Sequence, residues 1–424
     1  MTVFGKVAQV MRGTIVAQLV GLLALPIMSR LFPVAAFGQF QLYQSIMGIC
    51  LVFAAMRFEV AILNARTEAE LRSVIHLSIL INLVTASAAG LLIWLVGAVG
   101  WPVDMGNWVF GGLTIALVML LAGIAQTLTY VITRNEDYAA GSNIRIATAL
   151  GFGGTGLGLA FWRPILSGVI LADIVGKAIN AALLVRNAAR SGVRFWPVEP
   201  LPRLVDVARR YRDYPFMSLP GGLCNALTIA IAPFMIFATF GEEVTGQFGL
   251  VERGLTLPLN LVILAVTQVF TAELAKSIRE SDRGIHAHFR GLLVRLGLLG
   301  VVPTILLIVL GPTVVQLVFG DRWALAGAFC QVLAPFYLAS FLSGVAGMAL
   351  LVLERQKQQL IWELSRLVML VAAWIAIRWT AAGPISAIAL NFGVHIVFGV
   401  IYLAMADHYL RRHEQGVAAE GNPA

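Results

Sequence analysis

Residues 199–214, EPLPRLVDVARRYRDY, lie in the longest polar connection of a chain that is otherwise mostly apolar, roughly residues 187–214. Within this stretch Leu204, Val207, Ala208 and Tyr211 recur at helical spacing among arginines, which predicts a surface-lying amphipathic helix. An irregular basic loop is the alternative interpretation. The connection divides the apolar segments six and six, so the sequence predicts two lobes joined by a basic linker.

Apolar segments account for most of the remaining sequence. Of 424 residues, 59% are hydrophobic and 12% are charged, whereas a soluble domain carries about 25% charged residues. A membrane-spanning helix needs about 20 residues, and about twelve such spans fit the chain. The predicted spans are 7–30, 37–63, 74–99, 108–133, 143–162, 165–188, 215–240, 246–274, 289–311, 325–352, 359–380 and 383–406. This composition predicts an all-α polytopic membrane protein and excludes both a soluble enzyme and a free nucleic-acid-binding protein.

Basic residues indicate the orientation in the membrane. The loops on the side of both termini hold 20 Lys and Arg, against 4 in the opposite loops, and the excess of basic residues marks the cytoplasmic side. Both termini are therefore predicted to be cytoplasmic. The predicted domains are an N-terminal six-helix lobe 1–188, a cytoplasmic linker 189–214, a C-terminal lobe 215–406 and a cytoplasmic tail 407–424.

Two similar segments, six spans apart, indicate an internal repeat. Residues 26–28, Pro-Ile-Met, precede 38–42, Gly-Gln-Phe-Gln-Leu, and residues 233–235, Pro-Phe-Met, precede 246–250, Gly-Gln-Phe-Gly-Leu. Six spans between the copies give them the same direction through the membrane, so the lobes form a parallel repeat. Repeats of this kind are typical of transporters that bind substrate between the two halves.

Ionisable residues within the predicted spans are candidates for function, because an arginine at mid-span costs about 2.5–3.5 kcal/mol on insertion scales. Arg12, Arg57 and Arg253 have no acidic neighbour at helical pairing distance that can readily neutralise them, and we interpret them as lining one cavity that attracts an anion. A guanidinium suits phosphate in such a cavity.

Other buried charges allow two interpretations. Asp173 with Lys177 and Glu363 with Arg366 have the spacing of ion pairs on one helix face, and these pairs, like Glu59, are candidates either for structural neutralisation or for ion coupling. His395 is a candidate for a proton relay or for a hydrogen bond between helices.

Missing motifs narrow the function further. The chain has no Walker A motif, so energy must come from a gradient or from the substrate. Its cysteines, Cys50, Cys224 and Cys330, are too far apart for a disulfide framework or a Cys-based metal site, and no cofactor or catalytic residue is predicted.

Four segments resemble the Wzx-type oligosaccharide flippases of the multidrug/oligosaccharidyl-lipid/polysaccharide exporter superfamily. They are 25–40, LPIMSRLFPVAAFGQF; 56–62, MRFEVAI; 246–258, GQFGLVERGLTLP; and 318–327, VFGDRWALAG. Arg57 and Arg253 match the arginines of the family motifs, whereas Arg12 matches only by helix and approximate depth. Related flippases use cationic cavities for the substrate diphosphate.

The resemblance implies a V-shaped, alternating-access transporter in the bacterial inner membrane. Its substrate would be an undecaprenyl-diphosphate-linked oligosaccharide, a precursor of O-antigen in lipopolysaccharide or of exopolysaccharide, moved from the cytoplasmic to the periplasmic leaflet. Implied partners are membrane lipid, a polysaccharide polymerase and a chain-length regulator, with no nucleic acid. Two alternatives remain: a drug or cation antiporter of the same superfamily, and a polytopic glycan polymerase or ligase, which the short exterior loops disfavour.

Overall fold

The computed structural model describes residues 3–98, 111–162, 164, 167–279, 284–353 and 355–420. No strand occurs in these ranges, and the all-α fold is confirmed. The helices are α1 Val3–Leu31, α2 Val34–Phe53, α3 Glu68–Ala98, α4 Gly112–Arg134, α5 Tyr138–Trp162, α6 Gly168–Arg190, α7 Leu201–Arg210, α8 Leu219–Arg279, α9 Ile285–Phe319, α10 Ala324–Val352, α11 Gln356–Thr380 and α12 Pro384–Glu420.

Eleven helical stretches of the described residues are long and apolar enough to cross a membrane. The longest, Tyr214–Thr256, is bent at Gly241, whose φ of 82° and ψ of −175° are not helical, so it consists of two helices. Glycine allows this bend because it adopts positive φ without steric cost. This bend lies between the seventh and eighth predicted spans, and the described helices make the chain a multi-pass membrane protein.

The chain divides into two compact units, Met1–Ala230 and Ile231–Ala424. In the first unit α5 packs between α1 and α6, while α3 packs on α4. In the second unit α10 packs on both α9 and α12. The unit boundary falls inside α8, whereas the sequence places the junction at the linker 189–214. The predicted tail 407–424 begins as a continuation of α12, which runs to Glu420.

The second predicted span, 37–63, is not one continuous helix. Helix α2 ends at Phe53, Met56 and Arg57 adopt left-handed φ values of 47° and 67°, and a 3-10 helix follows at Phe58–Asn64. We call residues 54–57 the α2 break. Left-handed backbone costs a non-glycine residue about 1–2 kcal/mol, so neighbouring groups must stabilise this conformation.

Side chains from neighbouring helices satisfy carbonyl groups in the α2 break and in the 3-10 helix that follows it. Thr85 of α3 donates a hydrogen bond of 2.8 Å to the carbonyl of Ala54, and Arg134 of α4 donates one of 2.8 Å to the carbonyl of Ile62. Irregular backbone at membrane depth is tolerated only when protein groups replace the lost helical hydrogen bonds. Helices α3 and α4 therefore hold the break in place.

The predicted amphipathic helix is present as α7, but its apolar face covers protein. Leu204 and Val207 are 2% and 9% exposed and join an apolar cluster that includes Leu71 and Ile75 of α3. Docking also involves ion pairs: Arg72 Nε lies 2.6 Å from Glu199 Oε1, and Arg210 Nη1 lies 3.0 Å from Glu70 Oε1. The linker is thus attached to the first unit.

Replacing Leu204 by alanine should detach α7 from α3. A buried Leu→Ala change costs about 2–5 kcal/mol, so we expect the backbone amides of α7 to exchange hydrogen about tenfold faster or more in the variant. Leu201→Ala is the matched control, because Leu201 lies on the same helix and is 65% exposed. Equal exchange in the two variants, measured by mass spectrometry, would contradict the docking described above.

Candidate functional site

Arg57 lies in the α2 break, which directs its side chain toward α8. Gly222 of α8 has no side chain, and a Cβ added there would collide with Arg57 Nη2. Arg57 Nε is buried and has no hydrogen-bond partner among the described residues. The guanidinium therefore packs against bare backbone and retains an unused donor.

Glu59 follows the break and is completely buried, at 0% exposure. Its Oε1 accepts a hydrogen bond of 2.7 Å from Nε2 of Gln126 on α4, whereas its Oε2 has no partner within the described part of the chain. A buried polar atom without a hydrogen bond is uncommon and costly. Arg57 and Glu59 therefore place two incompletely bonded charged groups within three residues.

The remaining two cation candidates differ from Arg57. Arg12 lies on α1 with an exposed side chain. Arg253 lies on α8 in the second unit and has at least one interaction with another group, so it is not an unpaired cation, and its assignment to the substrate site stays a prediction. A single cavity formed by all three arginines stays a prediction.

Asp173 and Lys177 form an ion pair on one face of α6. The carboxylate also accepts hydrogen bonds from the Tyr43 hydroxyl, at 2.9 Å, and from Gln44 Nε2, at 3.1 Å, both on α2. Lys177 Nζ lies 5.5 Å from the centroid of the Tyr43 ring, within cation–π range. Both oxygens of Asp173 are thus bonded, and the cluster connects α6 to α2.

Glu363 and Arg366 form the corresponding pair on α11 in the second unit. Arg366 also lies over the Trp362 ring, with its Cζ 4.3 Å from the centroid. His395 of α12 is surrounded by aromatic rings, with Phe336 and Phe392 centroids each at 5.4 Å. Aromatic packing, rather than a hydrogen bond between helices, is the contact that the structure describes for His395.

Comparison with known proteins identifies the family. The model of the polysaccharide biosynthesis protein family matches residues 27–327, which is most of the chain and includes Arg57, Glu59 and Asp173. The chain belongs to this family. No curated protein matches the sequence.

Transporters of the MOP superfamily are among the solved structures with a similar fold. An inward-facing multidrug resistance MATE family transporter is 14% identical, with 96% of each chain covered and a TM-score of 0.72. A MOP superfamily transporter from Pyrococcus furiosus, described as having a binding pocket of reverse polarity, is 14% identical over 97% of this chain and 95% of that chain, with a TM-score of 0.62. A MATE transporter from Vibrio cholerae in the bent form is 13% identical over 96% and 98% of the two chains, with a TM-score of 0.57. At such low identity these matches establish the fold alone.

Family and fold together describe a multi-pass membrane protein of polysaccharide biosynthesis with a transporter architecture. The described residues hold no group of three or more His, Cys, Asp or Glu side chains that could bind a metal ion. The charged side chains described in the first unit include a guanidinium, which suits an anion, and carboxyl groups, which suit a proton or a cation.

The partners of these charged groups are not among the residues that the sequence predicts. The candidate residues are held in position by Tyr43, Gln44, Gln126 and Gly222. Tyr43, Gln44 and Gln126 could have been found, because each is a polar side chain within an apolar span. Nothing in the sequence distinguishes Gly222 from Gly221, its neighbour, since only packing makes the first close to Arg57.

The Asp173–Lys177 pair should contribute to stability as a unit. Removing one partner leaves an uncompensated buried charge, which typically costs about 3–5 kcal/mol, so we expect Asp173→Asn and Lys177→Met each to lower the melting temperature of the purified protein. The double variant Asp173→Asn/Lys177→Met removes both charges and should recover much of that loss. Purely additive effects in this double-mutant cycle would mean that the two charges do not stabilise each other.

Proposed function

We propose that this protein is a flippase for undecaprenyl-diphosphate-linked oligosaccharide. It moves the repeat unit of an O-antigen or exopolysaccharide from the cytoplasmic to the periplasmic leaflet of the bacterial inner membrane, with both termini in the cytoplasm. Membership of the polysaccharide biosynthesis family and the MOP superfamily fold support this function.

The observation that carries the proposal is the position of Arg57. Its guanidinium lies at an interruption of the second span, against the bare backbone at Gly222, with a buried Nε that lacks a hydrogen bond. A guanidinium presents five N–H donors in a planar fork, which matches the oxygens of a diphosphate. An anionic lipid headgroup is therefore the ligand that fits this side chain best.

Alternating access provides the mechanism of the proposed transport. The diphosphate is captured from the cytoplasmic side by Arg57 together with Arg12, the lobes rock, and the substrate leaves past Arg253. Pro26 inside α1 removes one helical hydrogen bond and favours a bend there. The lipid tail remains in the bilayer while the sugars cross through a polar cavity.

An ion gradient drives this cycle in the proposal, because the chain has no Walker A motif. The candidates for ion coupling are Glu59, Asp173, Lys177, Glu363, Arg366 and His395. Two pairs among them are bonded to each other, Asp173 with Lys177 and Glu363 with Arg366. A polysaccharide polymerase and a chain-length regulator are the proposed partners that act on the exported unit.

Deletion of the gene tests the proposed function in cells. We expect the undecaprenyl-linked repeat unit to accumulate on the cytoplasmic side and the surface glycan to disappear. Wild-type protein restores export, whereas Arg57→Ala should reduce it about tenfold or more, since a hydrogen bond to a charged group is worth about 1.5–3 kcal/mol. Arg186→Ala, which changes an exposed arginine at the end of α6, is the control.

Two results would contradict the proposal. Full glycan export by Arg57→Ala at normal protein levels would remove Arg57 from the mechanism. Unchanged surface glycan in the deletion strain, with raised sensitivity to cationic drugs, would favour the drug or cation antiporter, since a multidrug resistance transporter has the same fold.

Gly222→Ala tests the placement of Arg57 without changing its charge. The added Cβ collides with Nη2 and must displace the guanidinium, which is the flexible end of the side chain, so we expect export to fall several-fold with little change in melting temperature. Gly221→Ala is the matched control, because a Cβ at Gly221 meets no atom within 4 Å. Equal export by the two variants would show that the position of the guanidinium does not matter.

A further inference from the structure

The arginines of the linker differ in how they are paired. Arg203 and Arg210 form ion pairs with neighbouring glutamates, with N–O distances of 3.1 and 3.0 Å. Arg209 and Arg212 are exposed and have no partner among the described residues. Between residues 186 and 214 the chain has seven arginines and three acidic residues, of which Glu199 is buried. The exposed surface of the linker is therefore positively charged.

Apolar side chains of the linker are exposed as well. Trp196 is 81% exposed, and Val198 and Val205 are also exposed. Arg209 follows Val205 by four residues, so both lie on one side of α7, and this side differs from the one that packs on α3. We call Trp196, Val198, Val205, Arg209 and Arg212 the outer surface of the linker. It combines a large aromatic ring and apolar groups with arginines that lack ion pairs.

The depth of the linker in the membrane follows from α3. The apolar stretch Glu68–Gly97 has 30 residues. At 1.5 Å per residue it is about 45 Å long, the thickness of a bilayer including both headgroup regions. The first turns of α3 therefore lie in a headgroup region. Because the linker bonds to Glu70, Arg72 and His76 within these turns, its exposed side chains lie at the depth of the lipid headgroups.

We propose that the outer surface of the linker binds anionic phospholipid headgroups of the adjacent leaflet, which is the cytoplasmic leaflet in the orientation proposed above. Guanidinium groups suit the phosphate and the negative charge of such headgroups, and tryptophan is enriched at membrane interfaces. An acidic protein would also attract the arginines, but the depth of the linker and the exposed ring of Trp196 favour lipid. Because the linker is docked on α3, bound lipid holds the first unit at a fixed depth. This role does not depend on which substrate the protein carries.

The test uses the purified full-length protein in nanodiscs of phosphatidylcholine, with or without phosphatidylglycerol, an anionic lipid. Hydrogen exchange of the linker amides is followed by mass spectrometry, because bound lipid stabilises the docked conformation and slows exchange. For the wild type we expect phosphatidylglycerol to slow exchange about tenfold or more, since each arginine near an anionic surface strengthens binding about fivefold. Equal exchange in the two nanodiscs would overturn the proposal. Slowing that requires an added cytoplasmic protein, and not the anionic lipid, would assign the surface to a protein partner instead.

The double variant Arg209→Gln/Arg212→Gln removes both unpaired charges from the outer surface. We expect the slowing by phosphatidylglycerol to fall to about twofold or less, because neither side chain makes a bond within the described protein that the change would break. Arg411→Gln/Arg412→Gln is the matched control, since it removes two exposed arginines from α12 and lowers the net charge equally. If the linker variant keeps the wild-type slowing, or if the control loses it to the same extent, the assignment of the outer surface is overturned.

A second measurement identifies the lipid beside Trp196 and leaves the arginines unchanged. Bromine on the acyl chains of a lipid quenches the fluorescence of a tryptophan that it contacts, and the contribution of Trp196 is the difference between the wild type and Trp196→Phe. We expect brominated phosphatidylglycerol to quench this contribution several-fold more than brominated phosphatidylcholine at the same mole fraction. Equal quenching by the two lipids would overturn the selectivity for anionic headgroups, and with it the proposal.

Discussion

The interruption of the second span is the constraint on which the candidate site depends. In a lipid environment every backbone N–H and C=O must be bonded within the protein. The carbonyl groups of Ala54 and Ile62 meet this requirement through Thr85 and Arg134, which lie on two different helices. Because α3 and α4 satisfy the backbone here, the chain can hold Arg57 and Glu59 at an irregular segment instead of on a regular helix.

This arrangement separates the buried charges into two classes. Asp173, Lys177, Glu363 and Arg366 are neutralised by partners one helical turn away, and further contacts fix their positions. Arg57 and Glu59 lie at a break, and each has one buried polar atom without a hydrogen bond among the described residues; Arg366 also has one, its Nε, but its guanidinium is paired with Glu363. Unsatisfied buried polar groups are costly and concentrate at functional sites, so the second class is where we place substrate recognition and coupling.

Sequence patterns predicted the features that depend on local composition. Apolar length located the spans, and helical spacing located α7 and the two ion pairs, because residues three or four positions apart share a helix face. The α2 break could not be predicted, since FAAMRFEVAILN contains no proline or glycine and is as apolar as a regular span. The bonds of Asp173 to Tyr43 and Gln44 join residues about 130 positions apart, and only the tertiary structure brings them together. Nothing local pairs Glu199 with Arg72, so the packing of the linker on α3 could not be predicted from the sequence either.

Direct translocation by the purified protein tests the central claim most directly. Undecaprenyl-diphosphate-linked oligosaccharide with a labelled sugar is placed in one leaflet of proteoliposomes, and its accessibility to an impermeant sugar-modifying reagent on the other side is followed with time. The account predicts protein-dependent transfer of the labelled sugar across the bilayer, which free undecaprenyl diphosphate inhibits by competition. No transfer, in vesicles where the same protein exports a cationic dye, would contradict it.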